Sequence, residues 1–179
     1  MIVIKNSRLR RVLRIVIPFV IAPLFVIAGT YLFEPKRQAF VALAIAILAC
    51  VLFIAGFEHK KTGSRRLIIT SIFVALSVIG RFIPFFKPTT ALTIIAGVYL
   101  GGEAGFLTGA FSALISNFYF GQGPWTPFQM LAWGMIGFFA GVFSKFFIKS
   151  RFALIIYGVI AGCVFSVIMD VWTVLWYSG

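Results

Sequence analysis

Long apolar runs separated by short basic segments are the feature that most constrains this chain. The clearest runs extend from Ile15 to Phe33, from Gln38 to Phe57 and from Phe152 to Tyr177. About 20 apolar residues in a helix are enough to cross the hydrocarbon core of a bilayer. Because 61% of the residues are hydrophobic and only 11% are charged, we predict an all-α, polytopic helical membrane protein.

The polar segment from Glu58 to Arg66 divides the chain into two parts. Residues 1–66 are predicted to form an N-terminal transmembrane hairpin and a basic cytoplasmic loop, and residues 67–179 to form a helical core. The core should hold spans at Leu67 to Phe86, Ala104 to Phe120, Pro127 to Ile148 and Phe152 to Tyr177, with a short apolar helix at Thr89 to Leu100.

The distribution of basic residues predicts how the chain is oriented. Most Lys and Arg residues lie before the first span, in the loop at 58–66 or near residues 145–151. By the positive-inside rule, the N-terminus is therefore cytoplasmic, and the segments Arg81 to Lys87 and Gln122 to Gln129 are extracellular. Topology thus explains the net charge of +12, so contacts with the lipid bilayer are expected and no nucleic-acid partner is predicted.

The stretch NFYFGQGPWTPFQ, from Asn117 to Gln129, combines glycines and prolines with aromatic and neutral polar residues. Glycine and proline interrupt membrane helices, so this stretch is predicted to be a binding loop at the bilayer edge. The alternative is an ordinary connector with interfacial aromatic residues. As a binding loop it would contact substrate through Tyr119, Gln122, Trp125 and Gln129.

Three polar groups are predicted to lie at similar depth near the extracellular ends of their helices: Arg81, Asn117 and Asp170. Arg81 and Asp170 could form an ion pair, because charged groups inside membranes usually pair. The layer could also be the floor of a ligand pocket, and the two interpretations are compatible. The neighbouring Phe85 and Lys87 are included in the predicted substrate site.

Small residues precede two of these polar groups at every fourth position, which is typical of close helix packing. The stripes are Gly105, Gly109 and Ala113 before Asn117, and Gly158, Gly162 and Ser166 before Asp170. Glu103 is expected to complement the dipole at a helix N-terminus rather than to bind a ligand.

The sequence argues against a membrane enzyme, because such chemistry needs paired acids, a Ser and His pair, or a metal set. Its single histidine, His59, lies in a loop, and no GxxxxGK[ST] motif is present. Cys50 and Cys163 are expected to be small buried hydrophobic residues, and no metal or cofactor is predicted. A small channel or flippase-like protein remains the alternative to a substrate-binding subunit.

Two stretches, RFIPFFKPTTALTIIAGVYLGGEAGF and LISNFYFGQGPWTPFQMLAWGMIGFFAG, carry a family resemblance that covers about Leu67 to Tyr177. They resemble the substrate-binding (S) component of energy-coupling factor (ECF) vitamin importers, particularly the branch with cobalamin- and riboflavin-type members. The resemblance implies capture of a vitamin outside a prokaryotic cell. It also implies docking in the plasma membrane onto a transmembrane coupling protein that carries two ATPase subunits.

Members of this family dock through an Ala-x-x-x-Ala pattern on the first core helix. The matching residues here are Ser71 and Ala75, which are the predicted docking residues. S components usually have six helices, whereas this chain shows an N-terminal hairpin and five further runs. We therefore expect an S-component-like helical bundle whose core lacks its last helix.

Overall fold

The structure is a computed structural model that describes residues 6–32, 38–56, 63–83 and 88–177. Every element within these ranges is helical, which confirms the predicted all-α polytopic fold. A short π-helical segment, Ile17–Ile21, joins the first two helices. The α-helices are α1 (Ser7–Val16), α2 (Ala22–Leu32), α3 (Gln38–Ala55), α4 (Gly63–Gly80), α5 (Thr89–Leu100), α6 (Gly102–Phe120), α7 (Trp125–Val142), α8 (Ser144–Lys149) and α9 (Arg151–Tyr177).

The N-terminal helical stretch begins earlier than predicted. Asn6 Oδ1 accepts hydrogen bonds from the backbone N–H groups of Arg8 and Leu9, at 3.0 and 3.3 Å, and so caps α1. Four of the basic residues that were expected to precede the first span, Arg8, Arg10, Arg11 and Arg14, therefore lie on α1 itself. Pro18 cannot donate a helical hydrogen bond, and it lies in the π-helical segment.

Two of the predicted core spans were too long. α4 ends at Gly80 rather than at Phe86, because the chain turns at residues 81–83 and brings the ring of Pro88 against Gly80. The span predicted from Pro127 to Ile148 is divided into α7 and α8. The predicted helix from Thr89 to Leu100 is confirmed.

Among the described residues, three helical stretches are long and apolar enough to cross a membrane: Ser7–Gly29, Gly63–Gly80 and Arg151–Val174. The helices at Ala39–Ala55 and Thr89–Leu100 are apolar but shorter. The chain is a multi-pass membrane protein. The predicted division of the chain at residue 66 stays a prediction. One hydrophobic core joins α3 residues such as Leu52 to Phe106 of α6.

α6 lies at the centre of the bundle and packs closely against α7. A Cβ atom on Gly105 would clash with the carbonyl of Gly137, and one on Gly109 would clash with the backbone of Trp133. Only glycine permits these backbones to approach so closely. The packing role predicted for the first stripe of small residues is therefore confirmed.

The second stripe, on α9, is arranged differently. Gly158 and Gly162 have nothing within 4 Å of an added Cβ atom among the described residues. α9 instead turns Ala161 toward the core, where it is buried. The prediction that the α9 glycines pack against a neighbouring helix is therefore wrong for this part of the chain. Cys50 and Cys163, which were expected to be buried, are exposed.

Candidate functional site

A hydrogen-bonded network centred on Arg81 and Asn117 joins three helices at one end of the bundle. Arg81 follows the last turn of α4, and its Nη1 donates to the side chains of Ser116 and Asn117. The Arg81 to Asn117 Oδ1 distance is 3.1 Å. Asn117 is only 1% exposed, so its amide is held in one orientation by the groups around it.

The network continues from Asn117 onto the first turns of α7. The Nδ2 group of Asn117 donates to Thr126 Oγ1 at 2.9 Å and to Gln129 Oε1 at 2.8 Å. Asn117 therefore uses both ends of its amide, accepting from a cation and donating to two neutral oxygens. Asn117 and Gln129 were predicted site residues, whereas Ser116 and Thr126 were not, because small hydroxyls carry no distinctive signal in an apolar helix.

Aromatic rings flank the Arg81 guanidinium. Its central carbon lies 5.1 Å from the ring centroid of Phe120 and 5.4 Å from that of Trp133. Such rings attract a cation through their negative faces. Trp133 also stacks on Phe165 of α9, with ring centroids 4.5 Å apart. The network and these rings together form the Arg81 end of the bundle.

The predicted ion pair between Arg81 and Asp170 is wrong, since no carboxylate among the described residues lies within 4 Å of Arg81. Asp170 is exposed on α9. The spacing from the buried Ala161 to Asp170 corresponds to about two and a half helical turns. Asp170 therefore points away from the core side of α9. The residue count predicts only a depth along the helix and carries no information about the direction of the side chain.

The other described residues of the predicted site lie outside the hydrogen-bonded network of Arg81 and Asn117. Tyr119 is 72% exposed and contacts the ring of Phe82, while the Gln122 amide donates to the Leu114 carbonyl at 2.9 Å. Trp125 packs edge-on against Trp172 of α9, with centroids 6.0 Å apart. Phe85, Lys87 and His59 lie outside the described residues.

The predicted binding loop is shorter than expected. Only residues 121–124 lie between α6 and α7, so most of the stretch from Asn117 to Gln129 belongs to helix ends. Pro127 does not interrupt α7 because it lies in the first turn, where its missing N–H would have no helical partner in any case. The helix ends bring Asn117 and Gln129 into direct contact.

The opposite end of the bundle, which we call the arginine end, is built around Glu103. Its side chain is only 4% exposed and forms ion pairs with Arg14 of α1 and Arg66 of α4. The Arg66 Nη2 to Glu103 Oε2 distance is 3.0 Å, and Arg66 Nη1 also donates to the Gly56 carbonyl at 3.1 Å. Glu103 does lie in the first turn of α6, as predicted, but its two arginine partners were missed.

Gly101 makes this arrangement possible. It adopts a φ of 96° between α5 and α6, a conformation that favours glycine. A side chain at this position would also approach Arg66 Nη2 at 2.8 Å. The tight corner thus leaves room for the guanidinium beside the first turn of α6.

Comparison with family models gives one decisive match. The model described as ECF transporter, substrate-specific component, matches residues 65–178. The chain belongs to this family. Its members are transport subunits and not enzymes, and they work with an energy-coupling module. No curated protein and no solved structure gave a match.

The matched range of this S component contains the whole Arg81 network and begins at the start of α4. The resemblance predicted from Leu67 onward is confirmed at the level of the family, whereas the cobalamin and riboflavin branch is not. α1, α2 and α3 lie before the match. Arg14 therefore connects a helix outside the matched region to Glu103 within it.

The predicted docking residues of the S component lie on an exposed face of α4. Ser71 and Ala75 are both exposed, and the Ser71 hydroxyl donates to the Leu67 carbonyl, which satisfies it within its own helix. Both residues line an apolar groove of about 510 Å³ between α3, α4 and α6. Its other walls include Cys50, Leu107 and Phe111.

Proposed function

We propose that this S component captures a vitamin-type small molecule at the Arg81 end and delivers it to an ATP-driven coupling module. The observation that carries the proposal is the position of Arg81. Its guanidinium contacts neutral hydrogen-bonding groups and aromatic rings but no carboxylate among the described residues. A charged group that belongs to a membrane protein usually has a partner, and an oxygen-rich ligand would supply one.

The chemistry of the Arg81 end suits a ligand with a flat face and polar edges. Arg81 can donate to carbonyl, carboxylate or phosphate oxygens, and Gln129 and Asn117 extend this polar surface. Trp125 and Tyr119 add aromatic faces nearby. Cobalamin- and riboflavin-type compounds combine these features, so we propose one of them as the ligand, with Phe85, Lys87, Gln122 and Asp170 kept as predicted contacts.

The proposed orientation places the N-terminus in the cytoplasm of a prokaryotic cell and the Arg81 end outside. The uneven distribution of basic residues supports it, because Arg11, Arg14, Arg65 and Arg66 all belong to the arginine end or flank it. Uptake then requires a coupling protein with two ATPase subunits. We propose that this protein docks over Ser71 and Ala75, where the groove on α4 offers an apolar contact surface.

The test is to purify the protein from cells and identify copurifying small molecules by mass spectrometry. We expect a vitamin-type compound with wild type and with Arg65→Gln, an exposed control on α4. Arg81→Gln should lose it. Retention by Arg81→Gln would contradict the proposed site, and solute flux through the protein without bound ligand would favour a channel.

A further inference from the structure

A second cleft opens beside the arginine end, between the N-terminal helix and the core. Its volume is about 450 Å³. α1 and the π-helical segment form one wall, and the start of α6 and the end of α7 form the other. The polar lining consists of Arg11, Arg14 and Glu103, and the apolar lining includes Ile15, Phe19 and Val142.

Positive charge exceeds negative charge at this cleft. Both carboxylate oxygens of Glu103 are already engaged, one by Arg14 and the other by Arg66. Arg11 lines the same cleft, and no carboxylate lies within 4 Å of it in the described part of the chain. Two guanidinium groups and one carboxylate thus line the cleft, and that carboxylate is also paired with Arg66, so an anion would be attracted.

The apolar lining continues outward from the arginines along the membrane-facing surface. Ile15 is 56% exposed, Phe19 42% and Val142 57%. Phe19 is fixed by edge-on contacts with the rings of Phe138 and Phe139, at centroid distances of 5.7 and 5.5 Å. A cationic mouth therefore leads directly onto an apolar strip, an arrangement that complements a charged headgroup with attached hydrocarbon chains.

We propose that this cleft binds an anionic phospholipid. The phosphate lies against Arg11 and the outward side of Arg14, where arginine can donate two parallel hydrogen bonds to phosphate oxygens. The acyl chains lie along Ile15, Phe19 and Val142. The lipid would join the N-terminal helix to α7, and its binding is independent of the ligand proposed for the Arg81 end.

Native mass spectrometry of the purified full chain tests this proposal. Phosphatidylglycerol and phosphatidylcholine with identical acyl chains are titrated in parallel, so that only the headgroup differs. Wild type should retain phosphatidylglycerol more tightly. Arg11→Gln should reduce that preference by about fivefold, the scale of one basic residue near an anionic surface. Arg8→Gln, which removes the same charge from an exposed position of α1 that does not line the cleft, should leave the preference unchanged.

Three results would overturn the proposal. Equal retention of both lipids by wild type would remove the charge selectivity. Equal losses in Arg11→Gln and Arg8→Gln would show general surface attraction instead of a cleft. Competition by glycerol 1-phosphate at the same concentration as the lipid would show that the apolar strip contributes nothing, and the site would then be one for a free phosphate compound.

Discussion

The two ends of α6 each bury a polar group, and the two groups have different kinds of partner. Glu103 and Asn117 are both buried polar groups, about 21 Å apart along the helix. The protein itself supplies two cations to Glu103. At the other end Arg81 receives only neutral partners and aromatic rings. The Glu103 carboxylate is fully paired within the chain, whereas Arg81 remains a cation that a ligand can use.

This difference assigns separate roles to the two ends. A buried charge whose hydrogen-bonding capacity is filled by its own chain holds helices together. Glu103 thereby ties α1 and α4 to the start of α6. A cation beside a rigid amide network is instead prepared to receive an anionic or carbonyl oxygen at little cost in ordering. Stability should therefore depend most on the arginine end and ligand binding on the Arg81 end.

The largest expected effect is on folding, from Glu103→Gln. The substitution leaves Arg66, whose side chain is 17% exposed, without its counter-charge, and stranding one side of a buried ion pair costs about 3–5 kcal/mol. Arg14 is 45% exposed, so solvent screens its lost counter-charge and it adds little to the loss. Folded yield and thermal unfolding in detergent would measure the loss. Asp170→Asn is the matched control, because it also neutralises an acid but at an exposed position. Equal losses from both substitutions would remove the distinction between the two carboxylates.

A smaller loss is expected from Asn117→Ala at the other end. It removes the acceptor for Arg81 and the donor for Thr126 and Gln129, and a hydrogen bond to a charged group contributes about 1.5–3 kcal/mol. Ligand affinity and thermal stability should both fall. The comparison variant is Gln122→Ala, a predicted ligand contact whose exposed amide bonds only the Leu114 carbonyl among the described residues. It should weaken ligand binding but leave thermal stability near that of wild type, and an equal fall in stability would contradict the distinction.

Helix packing gives the next comparison, between the two glycine stripes. Gly105→Ala forces a methyl group against the Gly137 backbone and should cost about 1–3 kcal/mol through overpacking. Gly158→Ala adds a methyl group where no described residue lies within 4 Å. We expect its melting temperature to remain near that of wild type. A marked drop in Gly158→Ala would mean that another chain or segment covers this face of α9.

The smallest expected effect is the coupling between Arg81 and Asp170. Because they form no ion pair, the losses from Arg81→Gln and Asp170→Asn should add to within about 0.5 kcal/mol. A double-mutant cycle on the free energy of unfolding measures this coupling energy. A coupling energy well above that limit would place the two side chains in contact.

Sequence reasoning predicted the elements with a strong local signal. Apolar length located α3, α5 and α9, and the four-residue spacing of Gly105 and Gly109 identified a real packing face. It also placed Arg81 and Asn117 at one depth, and the structure brings them into direct contact.

The errors concern features that depend on how helices rotate and fold back. Residue counting predicts a depth for Asp170 but not its direction, because a helix can turn any face toward its neighbour. The partners of Glu103 lie on α1 and α4, far away in sequence, so no local sequence pattern identifies them. The span predicted to begin at Pro127 begins two residues earlier, at Trp125, because a proline in the first turn does not interrupt a helix.

The most direct test of the assigned roles compares the two arginine substitutions in one thermal-unfolding experiment. Arg81→Gln and Arg66→Gln are compared with and without the small molecule that copurifies with wild type. We expect Arg66→Gln to lower the melting temperature of the free protein but to keep the ligand-induced rise. We expect Arg81→Gln to lose that rise. Loss of the rise in Arg66→Gln together with its retention in Arg81→Gln would contradict the separate roles of the two ends.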